Sequence, residues 1–299
     1  MNLLEQAEKQ MEIVDGIRKR FSDTSFPNVR RENLYFGMPK KDNYLEGHQV
    51  IMGGDNAIYS FVSDAYTLIR HEVVLDRVMK TLEAFPAKPN VRLFFPNNGA
   101  KMLIRVDFEN ESQKISAKIG DKISPSIRIK NSYDKMWGLQ IGFGARELVC
   151  SNGMTVFKET GFAKKKHMGF NINANLLFGD HENNFLHNEI TTFFDSFKDQ
   201  LSLFSEWQKV TLQANDYEEL KTKMPFSEKE HEHIEQMPLI GRKLTVNDML
   251  KKNGLTLWEY NRAGTQYTTH ELQDIKAVTY EEQIAKTLTN YYQEKVTVH

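Results

Sequence analysis

The sequence contains one cysteine, Cys150, among its 299 residues. An internal disulfide needs two cysteines, so a disulfide-stabilised scaffold is excluded and the composition suits a reducing cytoplasm. No apolar run reaches the length of about eighteen residues that a membrane-spanning helix needs. The N-terminal residues alternate charged and apolar side chains, without the apolar core of a signal peptide. We therefore expect a cytoplasmic protein without membrane contact.

Familiar catalytic and cofactor motifs are also missing from the sequence. It has no Walker phosphate loop, no dinucleotide-binding glycine pattern after a strand, no Cys-x-x-Cys pair and no nucleophile elbow. The formal charge is −1, with 39 Lys and Arg against 40 Asp and Glu. Any attraction to nucleic acid must therefore come from a local basic patch. These absences favour a non-enzymatic protein without catalytic residues, cofactor or metal.

The residue pattern that is present predicts an α+β fold. Apolar residues recur at helical spacing from Leu3 to Ile17 and from His71 to Phe85, which predicts two helices. Between Val91 and about Phe162, short alternating segments are separated by turn residues, as in an antiparallel meander. The chain is mainly helical beyond this sheet. We expect a central antiparallel sheet packed by a long α-helix, with a helical C-terminal region.

Three sequence zones follow from this pattern. Residues 1–26 form an N-terminal helix, residues 27–178 a mainly antiparallel sheet domain with one inserted helix, and residues 179–299 a helical region. A helix of about thirty residues is predicted from Glu182 to Gln213, with an apolar stripe rich in aromatic side chains. This stripe either packs across the sheet or joins copies of the chain, so a homo-oligomer is expected.

The segment from Ile127 to Phe157 combines a polar turn, two predicted strands and Cys150. Cys150 is a candidate nucleophile, but it follows two apolar residues at a strand end, which favours a small buried side chain. The segment also alternates basic with aromatic residues. A stripe of this kind holds phosphates and stacks unpaired bases. The predicted nucleic-acid-binding residues are Arg128, Lys130, Tyr133, Trp137, Arg146, Lys164, Lys165 and Lys166.

Two further clusters have structural interpretations. His231 and His233 are two residues apart, so on a helix they point away from each other, and a charged, solvated helix is favoured over a metal site. Around Trp258, the residues Asn261 and His270 are candidate site residues. The alternative is that the aromatic residues dock the C-terminal helices while Asn261 satisfies backbone groups at a turn.

Four short blocks, in this order, resemble a phage/plasmid-like family catalogued as domain of unknown function 932. They are FVSDAY from Phe61, IKNSYD from Ile129, RELVCSNG from Arg146, and LWEYN from Leu257 with Thr265, Tyr267 and His270. The resemblance covers about residues 45 to 275. Lys135 stands where the family pattern leads us to expect a glycine. The resemblance implies a mobile-element origin and a host-cell cytoplasm, and it implies no established activity.

The expected function is that of a phage- or plasmid-encoded, non-enzymatic protein that binds nucleic acid, with binding or annealing of single-stranded DNA in replication or recombination as the specific form. An alternative from a different class is a protein-binding or self-assembling module that inhibits a host anti-phage defence complex. A hydrolase acting through Cys150 or His270 is the third hypothesis.

Overall fold

A computed structural model describes residues 3–35, 43–54, 56–85, 88–111, 113–114, 122–147, 154–156, 163–165, 185–252, 254–272 and 274–297. The helices in these ranges are α1 (Leu3–Arg20), α2 (His71–Glu83), α3 (Phe185–Trp207), α4 (Ala214–Lys223), α5 (Glu228–Gln236), α6 (Val246–Lys251), α7 (Leu257–Glu271) and α8 (Asp274–Thr297). The strands are β1 (Arg30–Tyr35), β2 (Tyr44–Met52), β3 (Ile58–Ser63), β4 (Asn90–Phe94), β5 (Lys101–Asp107), β6 (Gln113–Lys114), β7 (Lys122–Ser132), β8 (Leu139–Glu147), β9 (Met154–Val156) and β10 (Ala163–Lys165).

The strands form two sheets, which confirms the predicted α+β class and its antiparallel meander. A three-stranded antiparallel sheet has the order β1-β2-β3. A second sheet has the path β10-β8-β7-β5-β4, with β6 paired to β7 and β9 paired to β8. Sequence-adjacent strands are neighbours along most of this path, as short connections favour. The β1 and β2 pairing was not predicted, because their turn-rich segment lacks regular alternation.

The long helix is shorter than expected and packs on the sheet. It spans 23 residues as α3. Phe193 on α3 contacts Phe143 on β8, with ring centroids 5.2 Å apart, and Phe194 meets Phe108 edge-on at 4.9 Å. Within the described part of α3, the predicted apolar stripe is buried. This stripe therefore contributes to the core and is not an exposed surface for oligomerisation.

Ser227 and Thr245 are the N-cap residues of α5 and α6. The backbone N–H of Ser227 donates to Glu230 Oε2 at 2.7 Å. At α6, Asp248 N–H donates to Thr245 Oγ1 at 3.0 Å, and Thr245 N–H donates to Asp248 Oδ2 at 3.1 Å. Such reciprocal bonds satisfy backbone donors that have no partner in the first turn of a helix.

The described residues fall into two compact units. One lies within residues 1–105, 128–141 and 162–191, and the other within residues 106–127, 142–161 and 192–299. The core of the first unit contains side chains from the three-stranded sheet, from residues flanking its strands and from the turn after β7: Val29, Ile51, Val62, Tyr66 and Tyr133. The three zones predicted from the sequence, 1–26, 27–178 and 179–299, stay a prediction.

Helix α7 is buried on all sides along residues 257–268, within the second unit. Every residue from 257 to 268 is buried, although several are polar. Arg262 and Gln266 hold the loop before α6: Arg262 Nη2 donates to Ile240 O at 2.9 Å, and Gln266 Nε2 donates to Pro238 O at 3.0 Å. Asn261 therefore lies inside a helix, and its predicted place at a turn is wrong. The predicted docking role of the aromatic residues agrees with Trp258 packing on Phe204, with ring centroids 5.4 Å apart.

Candidate nucleic-acid interface

The polar turn between β7 and β8 is held in one conformation by its own side chains. Ser132 Oγ accepts from Trp137 N–H at 3.0 Å and donates to Trp137 O at 2.9 Å. Asp134 Oδ1 accepts from Met136 N–H at 3.0 Å. Lys135 has a φ of 62°, the left-handed conformation that glycine adopts without strain. The expected glycine position is therefore filled by a lysine without loss of the turn, and the turn places Trp137 just before β8.

Two lysines converge on Trp137. Lys101 Nζ lies 5.2 Å and Lys130 Nζ lies 5.6 Å from the centroid of its ring, which are cation–π distances. Lys101 Nζ also forms an ion pair with Asp134 Oδ2 at 3.3 Å. We call Lys101, Lys130, Asp134 and Trp137 the lysine–tryptophan cluster. It lies within the first unit and concentrates positive charge beside a carboxylate and an aromatic ring.

The cluster is nearly buried but opens towards solvent at its tryptophan. Lys101 and Lys130 are each 8% exposed, whereas Trp137 is partly exposed and the adjacent Met136 is 72% exposed. Lysines are seldom this buried unless their charge is matched. An ammonium group with little surrounding water attracts an anion more strongly than one in bulk solvent, because the local dielectric constant is lower.

Strand β10 brings part of the predicted lysine run to the same end of the sheet. The backbone of Lys164 pairs with Gln140 and that of Lys165 pairs with Leu139, two residues after Trp137. Lys164 and Lys165 thus lie in a strand. Their side chains and that of Arg146 are not among the described ones, and Lys166 lies outside the described residues.

Arg128 and Tyr133 do not form the exposed surface expected from the sequence. Arg128 is 1% exposed and Tyr133 is fully buried. Every residue from 123 to 133 is buried, so both faces of β7 are covered along this stretch. The alternation of charged and apolar residues had indicated one solvated face. In this structure Tyr133 is not accessible for stacking on a base.

Tyr133 is instead a central core side chain. Its ring stacks on the His71 ring, with centroids 3.9 Å apart. Its hydroxyl accepts a hydrogen bond from the backbone N–H of His71 at 2.7 Å. Ser60 Oγ donates to Tyr133 O at 2.7 Å. Burial, and next the negative charge of Glu72, raise the pKa of Tyr133 well above its ordinary value of 10.0. The turn therefore joins α2 and β3 into one core.

Asn131 connects the His71 ring to the chain before α2. Asn131 Nδ2 donates to Ile69 O at 3.0 Å and lies 2.9 Å from His71 Nδ1, while His71 Nε2 lies 3.1 Å from Gly99 O. A ring with its proton on Nε2 satisfies both contacts, since the amide then donates to Nδ1 and Nε2–H donates to the carbonyl. This buried network orders the turn and has no reacting group at the surface.

The remaining candidate residues do not assemble into a second site. Cys150 lies outside the described residues. Asn261 is 1% exposed, while His270 is exposed nine residues later on the opposite side of α7. The predicted helix around His231 and His233 is confirmed as α5, but His231 is buried and not solvated. Among the described residues, no group of three or more His, Cys, Asp or Glu could hold a metal ion.

Sequence reasoning missed Lys101 and His71. Lys101 precedes Trp137 by more than thirty residues and enters the cluster only through the pairing of strands. Its position directly after the Asn97-Asn98-Gly99 turn was a signal for a strand start, but not for a site. His71 stands at the first position of α2, where its role depends on a contact with Tyr133 that is distant in sequence.

The fold and the cluster together define an α+β protein with a nearly buried cationic cluster at one end of its larger sheet. The sequence model of one family, described as Domain of unknown function (DUF932), matches residues 58–290, and the chain belongs to this family. The resemblance found from four short blocks is thus confirmed. No curated protein and no solved structure matches the chain. None of the described helices is long and apolar enough to cross a membrane.

Proposed function

We propose that the protein binds nucleic acid without chemical conversion, and that single-stranded DNA is its ligand. The observation that carries this proposal is the convergence of Lys101 and Lys130 on Trp137. Proteins that bind single strands without sequence preference combine cations that contact phosphates with apolar rings that contact bases. The lysine–tryptophan cluster provides both kinds of group within one turn of the chain and its neighbouring strands.

The two ammonium groups are the phosphate-binding part of this proposal. Trp137 holds both lysines by cation–π attraction, and Asp134 pairs with Lys101, so the cations are positioned before a ligand arrives. A phosphate oxygen offers each ammonium group a charge-assisted hydrogen bond. In this proposal Trp137 positions the two lysines, in addition to the base-stacking role expected from the sequence.

The apolar surface beside the lysines favours an unpaired strand over a duplex. Met136 is exposed and Trp137 is partly exposed, so both offer contact area to a base. Bases in a duplex are stacked on each other and are not accessible in this way, whereas unpaired bases are free to stack on protein side chains. Strand β10 pairs with β8 at Leu139 and Gln140. The backbone of Lys164 and Lys165 therefore lies close to the same turn.

Binding of a fluorescently labelled oligothymidylate, measured by anisotropy at about 50 mM salt, tests the proposal. Replacing Lys101 and Lys130 together by glutamine should weaken binding about tenfold, because two phosphate contacts are lost. The matched control is Lys80→Gln, which removes one lysine that is 56% exposed and pairs with Asp76 on α2. This control should bind like the unchanged protein.

Two results would count against the proposal. The first is an absence of binding by the unchanged protein at this salt concentration. The second is equal binding by the double variant and the control, since the lysines would then have no part in it. Thermal unfolding of both variants establishes that any loss of binding is not a loss of fold.

Several parts of the functional hypothesis stay predictions. These are a role in replication or recombination, a phage or plasmid origin and a location in the host cytoplasm. The alternative, a protein-binding or self-assembling module that inhibits a host defence complex, also stays a prediction.

A further inference from the structure

Asp134 is placed beside Lys101 by the backbone of two neighbouring strands. Strands β5 and β7 are neighbours in the larger sheet. At the end of β7, the backbone N–H of Tyr133 donates to Ala100 O at 2.7 Å. Asp134 directly follows Tyr133, and Lys101 directly follows Ala100. The strand pairing thereby brings the carboxylate within reach of the ammonium group.

The two carboxylate oxygens of Asp134 have separate roles. Oδ1 accepts from the backbone N–H of Met136 at 3.0 Å, and this bond closes the turn after β7. Oδ2 lies 3.3 Å from Lys101 Nζ, and Asn97 Nδ2 donates to the same oxygen at 3.5 Å. One oxygen therefore shapes the chain, while the other provides the anion that pairs with a nearly buried cation.

This ion pair is largely closed off from solvent. The side chains of Lys101 and Asp134 are 10% and 11% exposed. Charges with so little water around them interact more strongly than those of an exposed pair, which solvent and salt screen. A phosphate oxygen bonded to Lys101 Nζ stands within a few ångströms of the carboxylate, and two anions at such a distance repel each other. Asp134 therefore opposes a phosphate at Lys101.

In the free protein, Asp134 compensates the repulsion between two cations. Lys101 Nζ and Lys130 Nζ lie 5.2 Å and 5.6 Å from the centroid of the Trp137 ring. Two ammonium groups near one ring repel each other, and a carboxylate beside one of them lowers this energy. A phosphate provides the same compensation. When a phosphate displaces the carboxylate, the Trp137 ring still holds Lys101 by cation–π attraction.

We propose that Asp134 is an internal competitor of the phosphate: it pairs with Lys101 in the free protein and loses this contact when single-stranded DNA binds. This inference rests on the proposed function, because it concerns the regulation of the same site. The charge of Asp134 then lowers the affinity of the site for every anion. A free phosphate ion offers charge alone, whereas a strand also contacts Met136 and Trp137, so the competition favours the strand.

Anisotropy of the labelled oligothymidylate at about 50 mM salt measures the effect of Asp134→Asn. This variant removes the charge and keeps a side-chain oxygen for the Met136 N–H, so the turn is retained. Its affinity should rise about tenfold, because the phosphate no longer meets a second anion at Lys101. A merely structural role of Asp134 predicts weaker binding, so the direction of the change separates the two roles.

Two controls separate this competition from a general effect of net charge. Asp76 also pairs with a lysine and its side chain is 14% exposed, but it lies on α2. Asp76→Asn should change the affinity by less than about twofold, because salt screens distant charges. In a Lys101→Gln protein, Asp134→Asn should give a much smaller gain, since the ammonium group for which the anions compete is absent.

Asp134→Ser keeps the test valid if the asparagine variant does not fold, as judged by circular dichroism, since a serine oxygen also accepts in such a turn. An unchanged or lower affinity of the folded variant would overturn the inference, and so would an equal gain with and without Lys101. Either result leaves the proposed function standing, because the unchanged protein still binds. Absence of binding by both the unchanged protein and the Asp134 variant would instead refute the proposed function.

Discussion

The ring of Tyr133 lies face to face with the ring of His71, at a centroid distance of 3.9 Å and an interplanar angle of 23°. The same tyrosine accepts a hydrogen bond from the backbone N–H of His71, the first residue of α2. Donors in the first turn of a helix have no partner within the helix, and a buried one must find a partner elsewhere. Tyr133 provides that partner, and this contact ties the turn after β7 to the start of α2.

Tyr133→Phe should lower the free energy of unfolding by about 1–3 kcal/mol, because a buried N–H loses its acceptor. Urea unfolding measures this loss. The matched control is Tyr59→Phe, since Tyr59 Oη donates to Asn98 O at a more exposed place. A loss no larger than that of the control would contradict the structural role of the Tyr133 hydroxyl. Nucleic-acid binding should be unchanged in the Tyr133 variant, because the ring is inaccessible.

Arg18 on α1 is the ion-pair partner of a buried carboxylate. Its Nη2 lies 2.7 Å from Glu72 Oε1, and the Glu72 side chain is 1% exposed. Arg18→Met should lower the free energy of unfolding by about 2 kcal/mol, because it leaves a buried charge unpaired. The double variant Arg18→Met with Glu72→Met should recover most of this loss. If the double variant is less stable than the single one in urea, the ion pair does not explain the effect.

This ion pair also connects α1 with the family region. Arg18 precedes the matched residues 58–290, while Glu72 lies within them. Removal of residues 1–26 should therefore destabilise the protein at least as much as Arg18→Met does. Thermal unfolding of the shortened chain checks this. A shortened chain as stable as the full one would show that α1 is a separate element.

Lys135→Gly should raise stability by about 0.5–1 kcal/mol. Lys135 has a φ of 62°, which costs a residue with a Cβ about 1 kcal/mol relative to glycine. The variant also loses the bond from Lys135 Nζ to Phe61 O, but this bond is exposed and contributes little. Denaturant unfolding measures the difference, and Lys135→Ala, which keeps the Cβ and loses the same bond, is its control. A glycine variant less stable than the alanine variant would contradict the assignment of strain.

His231 should make the second unit sensitive to acid. Burial, and next the charge of Lys221, lower the pKa of His231 below its ordinary value of 6.5, while Glu235 and Glu230 act in the opposite direction. The unfolded chain then binds a proton that the folded chain does not bind. Stability is therefore complete above about pH 6.5 and decreases as the pH falls from there through the folded-state pKa.

His231→Leu should remove this part of the pH dependence, because leucine fits beside the Phe226 ring and does not titrate. Urea unfolding at about pH 7.5 and about pH 5.5 measures it for both proteins. An equal loss of stability in the leucine variant would assign the acid sensitivity to other groups.

The sequence predicted the elements with regular periodicity and missed the contacts that connect them. The apolar spacing of α1, α2 and α3 placed these helices correctly, because a helix that covers a core needs one apolar stripe. Helix α7 was missed, since it is buried on all sides and its polar residues, such as Asn261 and Thr265, resemble those of a turn. Thr265 Oγ1 donates to Asn261 O at 2.9 Å, so the helix itself satisfies this hydroxyl.

The candidate site was predicted in part. Lys130 and Trp137 were both named from the sequence, and the structure places Lys130 Nζ beside the Trp137 ring. Arg128 and Tyr133 were expected at the surface, because charge alternation along β7 looks the same whether the second face meets solvent or another layer of the protein. Whether the second face of β7 is exposed or covered depends on packing between residues that are distant in sequence. No local pattern in a single sequence records that packing.

The salt dependence of oligothymidylate binding tests the central claim most directly. The logarithm of the association constant should fall linearly with the logarithm of salt concentration, since binding releases counterions from phosphates. Replacing Lys101 and Lys130 by glutamine should make this slope shallower by about 1.4, because each contact to a single strand contributes about 0.7. An unchanged slope in the double variant, or no salt-dependent binding by the unchanged protein, would contradict the account.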